Sequence, residues 1–239
     1  MKKIYLLFLT LIMAVSFIGC QRTDSTEDTD KNAGGVKEAE EKNNSAENTA
    51  DNSTASGGKS LVVYFSVPET TDPENMTEEE ENSAVVIDGE VLGNTQYVAY
   101  VIQENTGADI FRIEPEIPYT TEHEELVDLA REEQSEDARP AIKEEIENID
   151  EYTDIYVGYP IWWSDMPQIL YTFFDTYDFS GKNIIPFSTH GGSQLAGTVE
   201  TIKELEPDAR VYEDALTISR DDVQDAEDEI ISWLDNLKE

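Results

Sequence analysis

Three short stretches carry residue types that could act on a ligand. The first is split: Ser66 follows an apolar run, and Gly93-Asn94-Thr95 stands where a helical pattern begins. Backbone N–H groups at a helix start, with a hydroxyl beside them and a glycine permitting close approach, form a site for an anion. The second stretch is Gly158-Tyr159-Pro160-Ile161-Trp162-Trp163-Ser164-Asp165. Two tryptophans beside a proline can wall a pocket for a planar aromatic ring. We assign Trp162 to the ligand and Trp163 to the core beneath the following helix. The third is Ser188-Thr189-His190-Gly191-Gly192-Ser193. Paired glycines expose backbone N–H groups to a flat, carbonyl-rich ligand edge, and His190 can donate a hydrogen bond to it. His190 with Ser193 would be the only hydrolase-like pair, and no Gly-x-Ser-x-Gly elbow supports it.

These stretches need a scaffold that brings them together. Four runs, Leu61 to Phe65, Asp109 to Ile113, Asp154 to Tyr159 and Asn183 to Phe187, are apolar enough for strands buried on both faces. Helical patterns alternate with them. One opens at Asn94, with Val98, Val101 and Ile102 on one face and Gly107 as its stop. A second opens at Thr121-Glu122-His123-Glu124, which has the form of a capping box, with Leu126, Leu129 and Ala130 inward. A last helix is capped by Ser219 to Asp222 and buries Val223, Ala226, Ile230, Trp233, Leu234 and Leu237. Such alternation specifies an α/β fold with a parallel sheet and helices on both faces. In open sheets of this kind ligands sit beyond the carboxyl ends of the strands, where all three stretches fall. Val67 to Leu92 interrupts the pattern, and Asp88-Gly89 between apolar runs predicts a β-hairpin inserted at the rim of the sheet.

The N-terminal region has another character. Lys2 and Lys3 precede an apolar run from Ile4 to Ile18 that ends in Gly19-Cys20, the pattern of a signal peptide over residues 1–19. Cys20 is the sole cysteine, which excludes an internal disulfide and a cysteine zinc site. Its placement resembles a bacterial lipobox, which implies acylation of Cys20, a membrane anchor and a location outside the cytoplasm. Residues 20–58 are polar, with Val36 as the one large aliphatic side chain, and read as a disordered tether. Asp28 to Asn32 begins like a calcium loop but lacks the turn glycine and the closing glutamate. The folded domain is expected over 59–239.

The chain's formal net charge is −37, and loss of Lys2 and Lys3 with the leader would make it more negative. Nucleic-acid binding is excluded, since its affinity comes largely from Lys and Arg on phosphates. Any anionic ligand needs a strong local site.

From Ser60 to Lys238 the motifs together resemble the flavodoxin-like proteins of bacteria. They are the Gly-Asn-Thr helix start, the Tyr-Pro-x-Trp-Trp loop, the Gly-Lys-x-x-x-Pro-Phe strand, the Thr-His-Gly-Gly-Ser loop and the Ala138-Arg139-Pro140-Ala141-Ile142 segment. The resemblance implies a five-stranded parallel sheet in the order 2-1-3-4-5 and FMN as cofactor. It places Ser66, Gly93, Asn94 and Thr95 on the phosphate. Tyr159, Pro160, Ile161, Trp162, Trp163, Thr189, His190, Gly191 and Gly192 fall around the isoalloxazine. It also implies electron transfer or flavin-dependent reduction, with a redox protein or quinone as partner. The alternative is a binding lipoprotein that keeps the fold without FMN. The chain departs from the compact Thr-x-Thr-Gly-Asn-Thr phosphate loop, because the insertion leaves Ser66 as the one early hydroxyl.

Overall fold

The computed structural model describes residues 58–238. The expected leader, the lipidation at Cys20 and all but the last residue of the tether lie outside the described residues. In chain order the elements are β1 (Lys59–Tyr64), α1 (Glu78–Glu81), β2 (Ala84–Ile87), β3 (Glu90–Gly93), α2 (Asn94–Thr106), β4 (Asp109–Arg112) and α3 (His123–Glu136). There follow β5 (Tyr152–Pro160), α4 (Gln168–Thr176), β6 (Asn183–His190), α5 (Thr198–Leu205), β7 (Arg210–Val211), β8 (Leu216–Ser219) and α6 (Glu227–Asn236). Among the described residues no helix is long and apolar enough to cross a membrane.

The main sheet runs β4-β1-β5-β6-β7, all parallel, and β8 also pairs with β6. The expected order 2-1-3-4-5 is present, with the fifth position divided. Arg210 and Val211 pair with the start of β6, whereas Leu216 to Ser219 pair with its end from Phe187 to His190.

Alternation along the central strands builds two cores. Val62, Tyr64, Tyr156, Ile185 and Phe187 point to the face covered by α2 and α6. Leu61, Val63, Phe65, Ile155, Val157 and Tyr159 point to the opposite face, where Ile169, Leu170 and Phe173 of α4 cover them. The side-chain period of two in a strand makes this division automatic once both faces are covered. Lys182 enters β6 with its ammonium donating to the carbonyls of Ile149 and Tyr152, 3.1 and 2.9 Å away, so its burial is offset by two hydrogen bonds.

The Asp88-Gly89 hairpin forms as expected. Both turn residues have positive φ, 52° and 85°, as a tight two-residue hairpin turn requires. It does not join the main sheet: β2 and β3 pair only with each other, and Val85 is buried in the core beneath α2 and α6.

Three expected helix details are corrected. Helix α3 has Glu122 at its N-cap without a side-chain cap bond, and Thr120, not Thr121, accepts from the Glu122 N–H. Leu126 and Ala130 are buried, but Leu129 lies on the solvent side at 36 % exposure. Ser219 ends β8 instead of capping a helix; a 3-10 turn over Val223–Asp225 precedes α6.

Gly158 lies at the centre of the sheet, opposite Tyr64 on one side and Phe187 on the other. A Cβ there would overlap the fully buried Phe187 ring. Gly158→Ala is expected to destabilise the domain by about 1–3 kcal/mol, the usual cost of overpacking a filled core. Urea unfolding measures it, and an unchanged midpoint would show that the ring is free to move.

Candidate functional site

A cavity of about 290 Å³ opens at the carboxyl ends of β1, β5 and β6. Their registers run straight across, with Tyr64 opposite Gly158 and Gly158 opposite Phe187; β5 continues two residues beyond that level and β6 three. The residues just past the last apolar positions therefore face a common space.

Its floor is built from hydroxyls. Ser66, two residues past the end of β1, is buried, and its carbonyl accepts from Arg112 Nη2 at 3.0 Å. Gly93 does not line the cavity, yet a Cβ there would collide with Ser66 Oγ, so the glycine lets the helix start close on that serine. Thr95, in the first turn of α2, shares a buried hydrogen bond with Thr189 of β6, Oγ1 to Oγ1 at 2.8 Å. Asn94 donates through Nδ2 to the Asn82 carbonyl at 3.0 Å, and its Oδ1 is buried without a partner. Asn94 is the first helical residue and not the cap; Gly93 occupies the cap, its N–H bonded to Gln96 Oε1.

The aromatic wall is Trp162. Its ring meets Phe65 and Tyr119 edge-on at centroid distances of 5.5 and 5.6 Å, which fixes its plane from two sides. Pro160 and Ile161 line the same wall. The loop then reverses: Trp162 and Asp165 exchange two backbone hydrogen bonds of 2.9 Å, with Trp163 and Ser164 both in the left-handed region. That reversal corrects the core assignment of Trp163. Its ring leaves the core, remains 43 % exposed, donates from Nε1 to the Val127 carbonyl of α3 and lies under the Arg131 guanidinium at 4.7 Å. Trp163 lines the cavity too, from the α3 side.

Tyr159 does not face the cavity. It is fully buried in the other core, donating to Thr198 Oγ1 at 2.8 Å, since the Thr198 proton goes to the Leu195 carbonyl. Burial pushes its phenol well above the usual range. The cause is strand parity: Tyr159 shares the face of Val157 and Ile155.

Strand β6 runs on through His190, so Thr189 and His190 are strand residues and the loop begins at Gly191. Gly191 lines the cavity; Gly192, at φ 118°, does not. The Gly192 N–H donates to His190 Nδ1 at 2.9 Å. With Nδ1 accepting, the neutral ring carries its proton on Nε2, the tautomer able to donate to a ligand.

Several lining residues were missed from the sequence. Asn82 and Ser83 come from the insertion, as does Glu69, whose buried carboxylate pairs with His123 Nδ1 at 2.8 Å. Leu126, Val127 and Ala130 of α3 complete an apolar side. Arg220, just past β8, is the lining's one arginine or lysine, and its Nε is buried without a hydrogen-bond partner. Its position after a fifth strand, at a carboxyl end, was the available signal. The donor set suits a ligand with an anionic head, hydroxyls and a flat ring. Hydroxyls and a guanidinium stand ready to donate, one buried amide oxygen lacks a donor that a ligand hydroxyl would supply, and an indole is held rigid.

The flavodoxin family model matches residues 84–237. A crystal structure of a candidate flavoprotein from Bacteroides eggerthii is 28 % identical, with a TM-score of 0.57 over 75 % of this chain and 98 % of that one. A second, from Bacteroides uniformis, is 25 % identical, with a TM-score of 0.58 over 75 % of this chain and 99 % of that one. No curated protein matches the chain.

Burial lowers the His190 pKa below its ordinary 6.5, and the Asp222 charge opposes this in part. A depressed folded value means that the associated stability is present above pH 6.5 and is lost as pH falls toward that value, where the unfolded state takes up the proton first. The His190 ring resonances are expected to titrate below 6.5, and lower still in Asp222→Asn. A midpoint at or above 6.5 contradicts the neutral, Gly192-bonded ring.

Proposed function

This chain belongs to the flavodoxin family, and on that premise we propose that it binds FMN and acts in electron transfer or flavin-dependent reduction. The observation that carries the reading is the cavity at the ends of β1, β5 and β6, where a braced Trp162 stands across from hydroxyls at the start of α2. Ser66, Thr95 and Thr189 would hold the phosphate end, with Gly93 keeping the approach short. Asn94 Oδ1 would accept from a hydroxyl of the ligand's chain. Trp162, Pro160 and Ile161 would pack along the ring, and His190 Nε2 and the Gly191 backbone would meet its polar edge.

FMN, when bound, supplies the redox chemistry. The chain's own part is to orient the ring, exclude water from one side and set the local field. No step needs a nucleophile from the protein.

The decisive measurement is a flavin titration of the purified protein. FMN added to it is expected to lose fluorescence, colour the protein yellow and bleach reversibly with dithionite. Trp162→Ala is expected to weaken uptake by about 1–3 kcal/mol through lost stacking and burial. A folded protein that takes up no flavin would leave the family fold in place and favour the binding-protein alternative.

Signal cleavage at Cys20 and acylation of its thiol would set the domain outside the cytoplasm on the tether, which favours a membrane quinone or an exported redox protein as partner. The basic start, the apolar run and Gly19-Cys20 support this. Cys20→Ser is expected to move the protein from the membrane fraction to the soluble one; unchanged fractionation would refute the anchor.

A further inference from the structure

A chain of net charge −37 gains no long-range help in holding a phosphate, so any preference for a phosphorylated ligand has to be made locally. Of the cavity's lining residues Glu69 alone is acidic, and it is paired with His123. The lining's one guanidinium belongs to Arg220. Three features of this residue lack an explanation in the fold. Its Nε is buried with no hydrogen-bond partner. Its nearest carboxylate, Asp221 Oδ1, lies 3.9 Å from Nε, outside hydrogen-bond reach, on a side chain 85 % exposed and so well screened. Finally, a Cβ on Gly191 would stand 2.9 Å from Nη1 and 3.2 Å from Cζ, although Gly191 is not among the residues of positive φ. What the absent Cβ leaves is room for the guanidinium.

We propose that Arg220 is the phosphate-recognising side chain of this cavity and the residue that makes it select the mononucleotide over the unphosphorylated flavin. This rests on the FMN reading above. A guanidinium presents N–H donors in a plane that matches two phosphate oxygens, and such charge-assisted pairs are stronger than neutral ones. The side chain is 37 % exposed as a whole, but its Nε–H is buried and unpaired, and an acceptor entering the cavity would give it a partner. Arg220 is fixed beside the cavity by backbone: its own N–H donates to the His190 carbonyl at 2.9 Å, which extends the β6–β8 pairing by one residue. After β1 the chain carries Ser66 in place of a compact hydroxyl loop, and Arg220, just past β8, supplies further donors.

Two titrations test this in parallel. In the first, apoprotein receives inorganic phosphate at constant ionic strength, with chloride as control, while the Arg220 Nε–H resonance is followed; it is expected to move with phosphate alone. In the second, FMN and riboflavin are titrated into wild type and Arg220→Gln. The variant is expected to bind FMN roughly 30-fold more weakly, equivalent to about 2 kcal/mol, with riboflavin changed less than about twofold. Should Arg220→Gln fail to fold, Arg220→Lys keeps the charge but loses the planar pair of donors, and it is expected to lower FMN affinity while leaving riboflavin unchanged. Equal losses for both flavins, no loss for FMN, or a wild type that binds both flavins equally would overturn the proposal. If neither flavin is taken up, the FMN reading fails and the phosphate titration decides alone: a shifted Nε–H upholds Arg220 as a phosphate ligand, and a still one rejects it.

Discussion

Everything in this domain depends on burying the three central strands on both faces. Leu61 to Phe65, Ile155 to Tyr159 and Ile184 to Phe187 send alternate side chains into two separate cores. Neither core would close if any strand slipped by one residue, because every apolar side chain would change face. The register that results sets Tyr64, Gly158 and Phe187 side by side near the carboxyl ends of the three strands. Residues just beyond the apolar runs, Ser66, Pro160 and Thr189 among them, border a shared cavity. The site is thus the place where the apolar pattern stops.

Charge is arranged around that constraint. Acidic side chains crowd the surface helices, with Glu78 to Glu81 forming the whole of α1 and Glu124, Glu125 and Glu132 on α3. The cavity holds one carboxylate, and that one faces an imidazole. Hydroxyls, backbone N–H groups and the Arg220 guanidinium therefore govern the local potential, since the distant surface charges are screened by water and salt while near dipoles and charges are not. The insertion adds polar groups to the rim without adding a free charge: Asn82 and Ser83 contribute a carbonyl and a hydroxyl that tie Asn94 and Glu69 in place.

The Trp162 to Asp165 loop shows how backbone geometry divides two adjacent, chemically identical side chains. Left-handed conformations at Trp163 and Ser164, closed by the paired bonds between Trp162 and Asp165, send one indole against Phe65 and Tyr119 and the other onto α3. Such conformations are uncommon for residues other than glycine and persist only where surrounding contacts fix them. Here the Asp165 carboxylate, accepting from Tyr171 and from the Met166 N–H, supplies part of that support.

The strand order came from the family resemblance, while the sequence alone determined the class of fold, the parallel sheet and the hairpin. These follow from local rules: unbroken apolar runs for doubly buried strands, helical spacing between them, and Asp88-Gly89 for a turn with two positive φ angles. It also located the three loops, since loops after parallel strands converge on one edge. Tertiary structure decided which side chains face the cavity. Tyr159 was expected around the ring but lies on the core side of β5, and Trp163 turned away from the core on a reversal invisible in its neighbours' identities. Arg220, Glu69 and Ser83 reach the cavity from positions far apart in the chain, one of them past a fifth strand split in two. Residue type and spacing report what a segment buries along its own length. They do not report which distant segment will stand opposite, because that is fixed by packing across the sheet.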